Sequence, residues 1–369
     1  MKDIAKQNAS QSITGAQIAE DSGLIGGYAY QTIRKQSKQV FKLRSLVLSD
    51  SDPENLHQMR VSTRRLRSAL LLFSDTIELE GTTPAKLSRS VAKLTKALGK
   101  VRDIDVMQQW FEQMLDTAND IKDSQTQDSV AALGHAFSKK EKKVIQSLLK
   151  TLKKQRKKQF SRMDSALNSS AYKKLRKQCK GWTKQPKFSP AAKQSAASSA
   201  IQRIVEPLAE LLHHPGWQVA TKPATQTTAE IGATQRQILK QISLDELNQQ
   251  LSQYGQQLHD LRKQIKGVRY QTEFFRSLYG IHYAAQIREL RSLQNVLGQI
   301  QDQLVVSEFL TQELGSNWAS KLPTLNQTFQ SARLDLWRQW QPLQEKYLGL
   351  HQRSDASTKT QQETETTVA

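Results

Sequence analysis

His57-Gln58-Met59-Arg60-Val61-Ser62-Thr63-Arg64-Arg65-Leu66-Arg67 is the stretch from which the fold is read. Its His57, Arg60, Arg64 and Arg67 are spaced three, four and three apart. On an α-helix these side chains share an arc of roughly 80°. Leu56, Met59, Thr63, Leu66, Leu70, Phe73 and Ile77 alternate in steps of three and four, the pattern of a buried helical seam. Each stripe residue follows a seam residue, so the stripe lies about 100° from the seam. There its stems can pack while its charged heads stay in water. Like charges at this spacing weaken a helix. The simplest compensating partner is a polyanion.

The device recurs. A shift of 202 positions carries His57, Arg60, Arg64 and Arg67 onto His259, Arg262, Lys266 and Arg269. The seam moves with them, Leu56, Met59, Thr63, Leu66 and Phe73 landing on Leu258, Leu261, Ile265, Val268 and Phe275. A shift of 199 carries Leu94, Leu98-Gly99, Arg89 and Asp103 onto Leu293, Leu297-Gly298, Arg288 and Asp302. Agreement of identity, spacing and order implies a tandem duplication, each half opening with a His–Arg helix and returning with an antiparallel partner.

Outward from these motifs the chain reads as all-α. Residues 1–23 lack helical periodicity and are expected to form a flexible arm. A first amphipathic helix is expected over Tyr28–Leu48. The helix bearing the opening stretch begins at Ser51-Asp52-Pro53-Glu54, either as a capping box from Ser51 to Glu54 or with Asp52 as cap and Pro53 at the first helical position. A helix from about Ala85 to Leu98 follows, with Leu98-Gly99 leading into another that runs through Leu115. Between residues 139 and 180, sixteen Lys and Arg face two acids, Glu141 and Asp164. This run reads as a basic amphipathic helix and a shorter one after it, serving either as a second anion surface or as a solvated face. Residues 213–240 read as a linker or insertion. Ser243 and Glu246 form a second capping box opening a long helix, and further helices are expected over 282–298, 299–314 and 323–347. The tail, residues 351–369, is expected to be disordered.

Composition narrows the partners. The 54 Lys and Arg exceed the 34 Asp and Glu, giving a net charge of +20, which favours nucleic acid, polyphosphate or an anionic surface. Cys179 is the single cysteine, so disulfide frameworks and cysteine-based zinc cages are excluded. No apolar run approaches a membrane span, the longest being Ala69–Phe73. A cytoplasmic protein is expected, without membrane insertion.

Three motifs together resemble one family: His57–Arg67, Leu98-Gly99-Lys100-Val101-Arg102-Asp103-Ile104-Asp105-Val106, and Leu258-His259-Asp260-Leu261-Arg262-Lys263-Gln264-Ile265-Lys266-Gly267-Val268-Arg269-Tyr270. They resemble the CHAD family, the conserved-histidine α-helical domain, over about residues 24–350. The resemblance implies two pseudo-symmetric four-helix bundles, with repeats of about 24–185 and 190–350, and binding of inorganic polyphosphate in a basic groove between them. The implied binding residues are His57, Arg60, Arg64, Arg67, His259, Arg262, Lys266 and Arg269, with Arg65, Lys263, Arg89 and Arg288 beside them. It also implies targeting to polyphosphate granules or regulation of polyphosphate metabolism. The second half departs from the first in having Gln301 where Arg102 stands, and Gln303-Leu304 in place of Ile104-Asp105.

Such residues suit a bare phosphate chain. Arginine forks take two phosphate oxygens and lysine acts as a point charge. A nucleic-acid reader adds aromatic platforms, but Phe73, Trp110, Phe275 and Trp337 fall at seam-like positions, so RNA or DNA binding is the lesser alternative. His57 and His259 read as anion contacts, against a purely structural role. Asp103, Asp105 and Asp302 read as salt-bridge partners that hold stripe arginines; the rival is a divalent-metal site. Chelation by Asp103 with Asp105 is disfavoured, because i and i+2 residues diverge on a helix. A metal-dependent phosphohydrolase using His259-Asp260 is a further alternative. The strings Glu78-Leu79-Glu80 and Glu363-Thr364-Glu365 lack the lysine of the triphosphate-tunnel signature. The expected protein is a non-enzymatic binder that needs no cofactor and no metal.

Overall fold

The structure, a computed structural model, describes residues 14–120, 137–221 and 242–368, and of residues 117–120 and 351–368 the backbone alone. It is all-α. The helices are α1 (Gly15–Glu20), α2 (Ile25–Lys42), α3 (Arg44–Ser49), α4 (Pro53–Leu72), α5 (Pro84–Asp120), α6 (Lys139–Asn168), α7 (Ser170–Lys184), α8 (Ala196–Leu212), α9 (Leu244–Phe274), α10 (Ile281–Leu314), α11 (Trp318–Lys321) and α12 (Pro323–Val368). The sheet among the described residues is one antiparallel pair of two-residue strands, β1 (Ile77–Glu78) and β2 (Lys187–Phe188), with Ile77 opposite Phe188. No described helix is long and apolar enough to cross a membrane.

Two compact units are distinguished. The first joins residues 1–105 to 155–204, and the second joins 106–154 to 205–369. These limits depart from the repeat boundaries read in the sequence, since residues 106–154 fall in the second unit.

In the first unit, Asp52 caps α4: its carboxylate accepts from the Glu54 N–H at 2.8 Å, with Pro53 opening the helix. The choice between Ser51 and Asp52 is thereby settled in favour of Asp52. The α4 seam is buried, from Leu56 at 3 % through Met59, Thr63, Leu66 and Leu70 to the C-cap Phe73 at 0 % exposure, while Ile77, read as the end of the same helical seam, is buried in β1 because the helix stops at Leu72. Helix α2 packs along α4 and buries Ile33 and Val40. The expected helix over Tyr28–Leu48 breaks at Leu43 into α2 and α3, and Asp50 ends α3 with a left-handed φ of 53°. The flexible arm needs correction from residue 14 on. Thr14 and Gln17 form a capping box on α1, and Ile18 and Ala19 are buried. A six-residue helix shows too few turns for periodicity to reveal it, and tertiary burial holds it. Residues 1–13 lie outside the described residues.

In the second unit, the Ser243 hydroxyl caps α9 by accepting from the Glu246 N–H at 3.2 Å. The α9 seam, Leu258, Leu261, Ile265, Val268 and Phe275, is buried like its counterpart. The linker expected over 213–240 is in part core. Trp217 stacks on Trp340 and Tyr347, with ring centroids 5.4 and 4.5 Å apart. Gln344 Nε2 donates to the carbonyls of Trp217 and Val219 at 2.6 and 2.8 Å. His214 opens this turn by accepting the Gly216 N–H on Nδ1 at 2.9 Å. Residues 222–241 of the expected insertion lie outside the described residues. Two helices expected over 282–298 and 299–314 are one, α10. The expected disordered tail is the continuation of α12 to Val368. Nothing after Gly349 is Gly or Pro, so no residue interrupts propagation of that helix.

Trp217→Ala removes a large buried ring and is expected to lower stability by about 3–5 kcal/mol. Urea unfolding followed by circular dichroism checks this, and an unchanged midpoint would show the stacked cluster to be dispensable.

Candidate anion-binding site

The stripe on α4 is set by its seam. With Met59 and Thr63 buried, Arg60 and Arg64 are left half-buried at the edge of the packed face and Arg67 exposed. Arg60 reaches α5, where its Nη2 lies 3.0 Å from Asp103 Oδ1. On the way it crosses Gly99: a Cβ at that position would sit 3.3 Å from Arg60 Nε and 3.4 Å from Nη2. Glycine inside a helix costs about 1 kcal/mol relative to alanine. Here it leaves room for a guanidinium to lie against the helix backbone. Arg64 and Arg67 make no ion pair among the described residues. Arg65 is half-buried, one residue round the helix from the stripe.

His57 is half-buried at the start of this row. Burial pushes its pKa below the ordinary histidine value, Arg102 of α5 pushes it the same way, and so do Arg60 and Arg64, with Glu54 alone opposing. The imidazole therefore faces several cations while neutral. Arg102 was not among the residues singled out from the sequence. Its signal lay in its place three residues after Gly99, one turn along α5 from the glycine.

The second unit repeats the local arrangement on α9 and α10. Arg262 lies over Gly298, where a Cβ would sit 3.2 Å from its Nη2 and 3.5 Å from Nε. His259 is also held below the ordinary histidine value, by burial first and then by Lys263 and Arg262. A hydrogen bond with Gln301, together with Asp260, opposes them. Gln301 is the counterpart of Arg102, so in both units the same position of the returning helix attends the histidine, once with a charge and once with an amide. His259 Nδ1 is buried without a partner among the described residues. Lys263 is exposed and pairs with Asp260 at 2.9 Å, and Asp260 also accepts from Gln256 at 3.0 Å. Lys266 is half-buried and Asp302 exposed.

Arg269 corrects the sequence reading. It is 8 % exposed. Its Nε donates to Gln294 Oε1 at 2.9 Å, its Nη1 pairs with Glu273, and it lies 4.6 Å from the centre of the Tyr270 ring. Arg291 completes the cluster, 2.9 Å from Glu273. This guanidinium holds α9 to α10 and has no face left for a ligand. The positions corresponding to Glu273 and Gln294 in the first half are Leu71 and Thr95, which cannot hold a guanidinium in that way, so Arg67 stays in solvent.

Arg89 and Arg288 are exposed. Each stands ten residues before its glycine, about 15 Å along the helix axis, so they extend the basic rows without joining the histidines. Asp105, expected to hold a stripe arginine, instead binds Arg156 of α6: Nε donates to it at 2.6 Å, while Nη1 and Nη2 reach Asp50 at 2.6 and 2.7 Å. Of the other basic residues of α6 and α7, Lys142 is half-buried and the rest are exposed. Phe73, Phe275 and Trp337 are buried, and Trp110 packs on Phe111 and Phe329, as expected for core residues. No group of three His, Cys, Asp or Glu side chains among the described residues is placed to hold a metal ion.

Comparison with known proteins agrees with these motifs. The family model "CHAD domain" matches residues 31–311. The crystal structure of the CHAD domain from the plant Ricinus communis is similar, with a TM-score of 0.52, 23 % identity and 86 % of each chain covered. PptA from Streptomyces chartreusis is similar with a TM-score of 0.51 and 14 % identity, over 89 % of this chain and 99 % of that one. At these identities the likeness is one of fold. No curated protein matches the sequence.

Arg269→Ala strips two half-buried partners, Glu273 and Gln294, and is expected to lower stability by roughly 2–3 kcal/mol. Arg67→Ala, its repeat counterpart, should stay within about 0.5 kcal/mol. Parallel urea titrations compare the two. Equal losses would mean that the two arginines share one role.

Proposed function

Because the chain belongs to the CHAD domain family, we propose that it binds inorganic polyphosphate through its two His–Arg stripes and does not turn the polymer over. The observation that carries this reading is the repeated set of a histidine, an arginine laid over a helix glycine, and further cations in the same row. Arg60, Arg64, Arg67 and Arg102 with His57 form one row, and Arg262 and Lys266 with His259 form the other. A phosphate chain offers only oxygens, and arginine forks recognise those without further chemistry. Burial of the aromatic residues favours such a chain over RNA or DNA, whose bases call for stacking platforms. Binding proceeds by release of counterions from the polyanion, so affinity falls steeply with salt and rises with chain length. A role in bringing the protein to polyphosphate granules, or in regulating polyphosphate metabolism in the cytoplasm, follows from this reading.

The test is a titration of long polyphosphate, tripolyphosphate, single-stranded RNA and duplex DNA at equal phosphate concentration, with released phosphate assayed alongside. Long polyphosphate is expected to bind tightest. Preference for RNA would overturn the reading. Phosphate release that is lost in His259→Ala would support a hydrolase instead. Arg60→Ala combined with Arg262→Ala should weaken polyphosphate binding about tenfold or more while helicity and melting temperature stay near those of the parent.

Proton linkage gives a separate test. In the free protein both histidines are held below their ordinary pKa. A bound polyanion offsets the surrounding cations and raises those values, so binding takes up protons. Affinity therefore rises as pH falls through the bound-state pKa and levels off below the free-state one. Calorimetry from about pH 8 to about pH 5.5 at fixed salt should show this rise. His57→Gln with His259→Gln should flatten it. A profile already flat in the parent would remove the histidines from the contact.

A further inference from the structure

A cleft of about 320 Å³ lies within the second unit, between α9, α10, α11 and α12, apart from both stripes. Its size is at the small end of ligand pockets. Its polar side holds three groups. Arg333 of α12 is half-buried, and its Nη1 donates to Asn248 Oδ1 of α9. No carboxylate pairs with it among the described residues, and burial holds its pKa below the ordinary arginine value. The Ser307 hydroxyl of α10 is buried with no hydrogen-bond partner among the described residues. The apolar side is formed by Leu251, Trp318 and Phe329, the last two rings set edge to face at 6.1 Å.

These features are costly unless something fills the cleft. A desolvated guanidinium without a counter-charge destabilises a fold, and so does an orphaned buried hydroxyl. Arginine carries five N–H donors. Asn248 occupies one of them and holds the fork in place, leaving the Nε–Nη2 edge without a hydrogen bond among the described residues. That edge matches the two oxygens of a carboxylate. The single cation is accompanied by neutral amides and hydroxyls, which suits one negative charge better than the two or more of a phosphate ester. The apolar wall suits a short hydrocarbon or aromatic body.

We propose that this cleft is a binding site for a small organic monocarboxylate, with Arg333 gripping the carboxylate, Ser307 donating a further hydrogen bond, and Trp318 and Phe329 covering the apolar body. Asn248 is a positioning residue that orients the guanidinium. The site is independent of the polyphosphate reading and uses none of its residues.

The experiment titrates the full chain by calorimetry with benzoate and hexanoate, with benzamide as the uncharged isostere and inorganic phosphate as the anion without an apolar body. Benzoate or hexanoate should bind saturably with one-to-one stoichiometry, about tenfold or more tighter than benzamide or phosphate. Arg333→Met should abolish that preference. The same substitution removes an unpaired desolvated charge while roughly keeping volume, so it should raise the melting temperature of the free protein, which separates loss of binding from loss of fold. Arg60→Ala with Arg262→Ala should leave carboxylate binding unchanged. Absence of saturable carboxylate binding, equal binding of benzamide, or retention of binding in Arg333→Met would each overturn the proposal. Loss of carboxylate binding in the stripe variant would overturn it as well, by placing the anion on the stripes.

Discussion

A guanidinium resting on a helix backbone requires a residue with no Cβ beneath it. That close approach organises both basic rows. Gly99 and Gly298 are buried in the middle of long helices, where glycine weakens the backbone, and neither is needed for a turn. What they allow is specific: Arg60 and Arg262 lie where a methyl group would sit little more than 3 Å from their nitrogens. Each arginine is thereby pinned between its own helix and the returning one. The seam residues one position behind fix the helix from which it projects. The head of the side chain is placed by packing as well as by charge, so its position is retained when salt screens the charges.

The cost of crowding like charges is met unevenly along each row. In the first unit, Asp103 neutralises Arg60, the arginine deepest against α5, while Arg64 and Arg67 make no ion pair among the described residues. The acids that could have quenched the field are engaged elsewhere: Asp50 and Asp105 both hold Arg156, and Asp75 holds Arg203. The histidines answer the same field by staying neutral. A neutral imidazole among cations adds no repulsion to them.

The seam and its stripe were legible in the sequence because both obey one short period, and every seam position read from it is buried. The Leu-Gly pairs were legible as a repeat and misread as joints. A glycine in isolation signals a helix end, but within a 37-residue helix its penalty is small beside the packing of the flanking turns. Arg269 was misassigned because matching it to Arg67 ignored the side chains opposite; Glu273 and Gln294 were visible in the sequence, but only the pairing of α9 with α10 shows that they meet it. Helix α1 was too short to carry a period. The cleft around Arg333 left no local trace at all, since its walls come from four helices and no two of its polar groups share a motif.

The two halves are consequently not equivalent. The second half holds Arg269, the counterpart of Arg67, in a clamp with Glu273, carries Lys263, tied to Asp260, where the first half has Val61, and presents Gln301 where the first half presents Arg102. Beside its histidine stands a neutral amide in place of a guanidinium. The first half keeps its arginines outward and its histidine among charges. A clamp on one side and a field on the other are both compatible with the same packing of seam and glycine. The seam and the glycine serve the packing of the helices, whereas an outer position of the stripe can carry either a buried clamp, as at Arg269, or an exposed charge, as at Arg67.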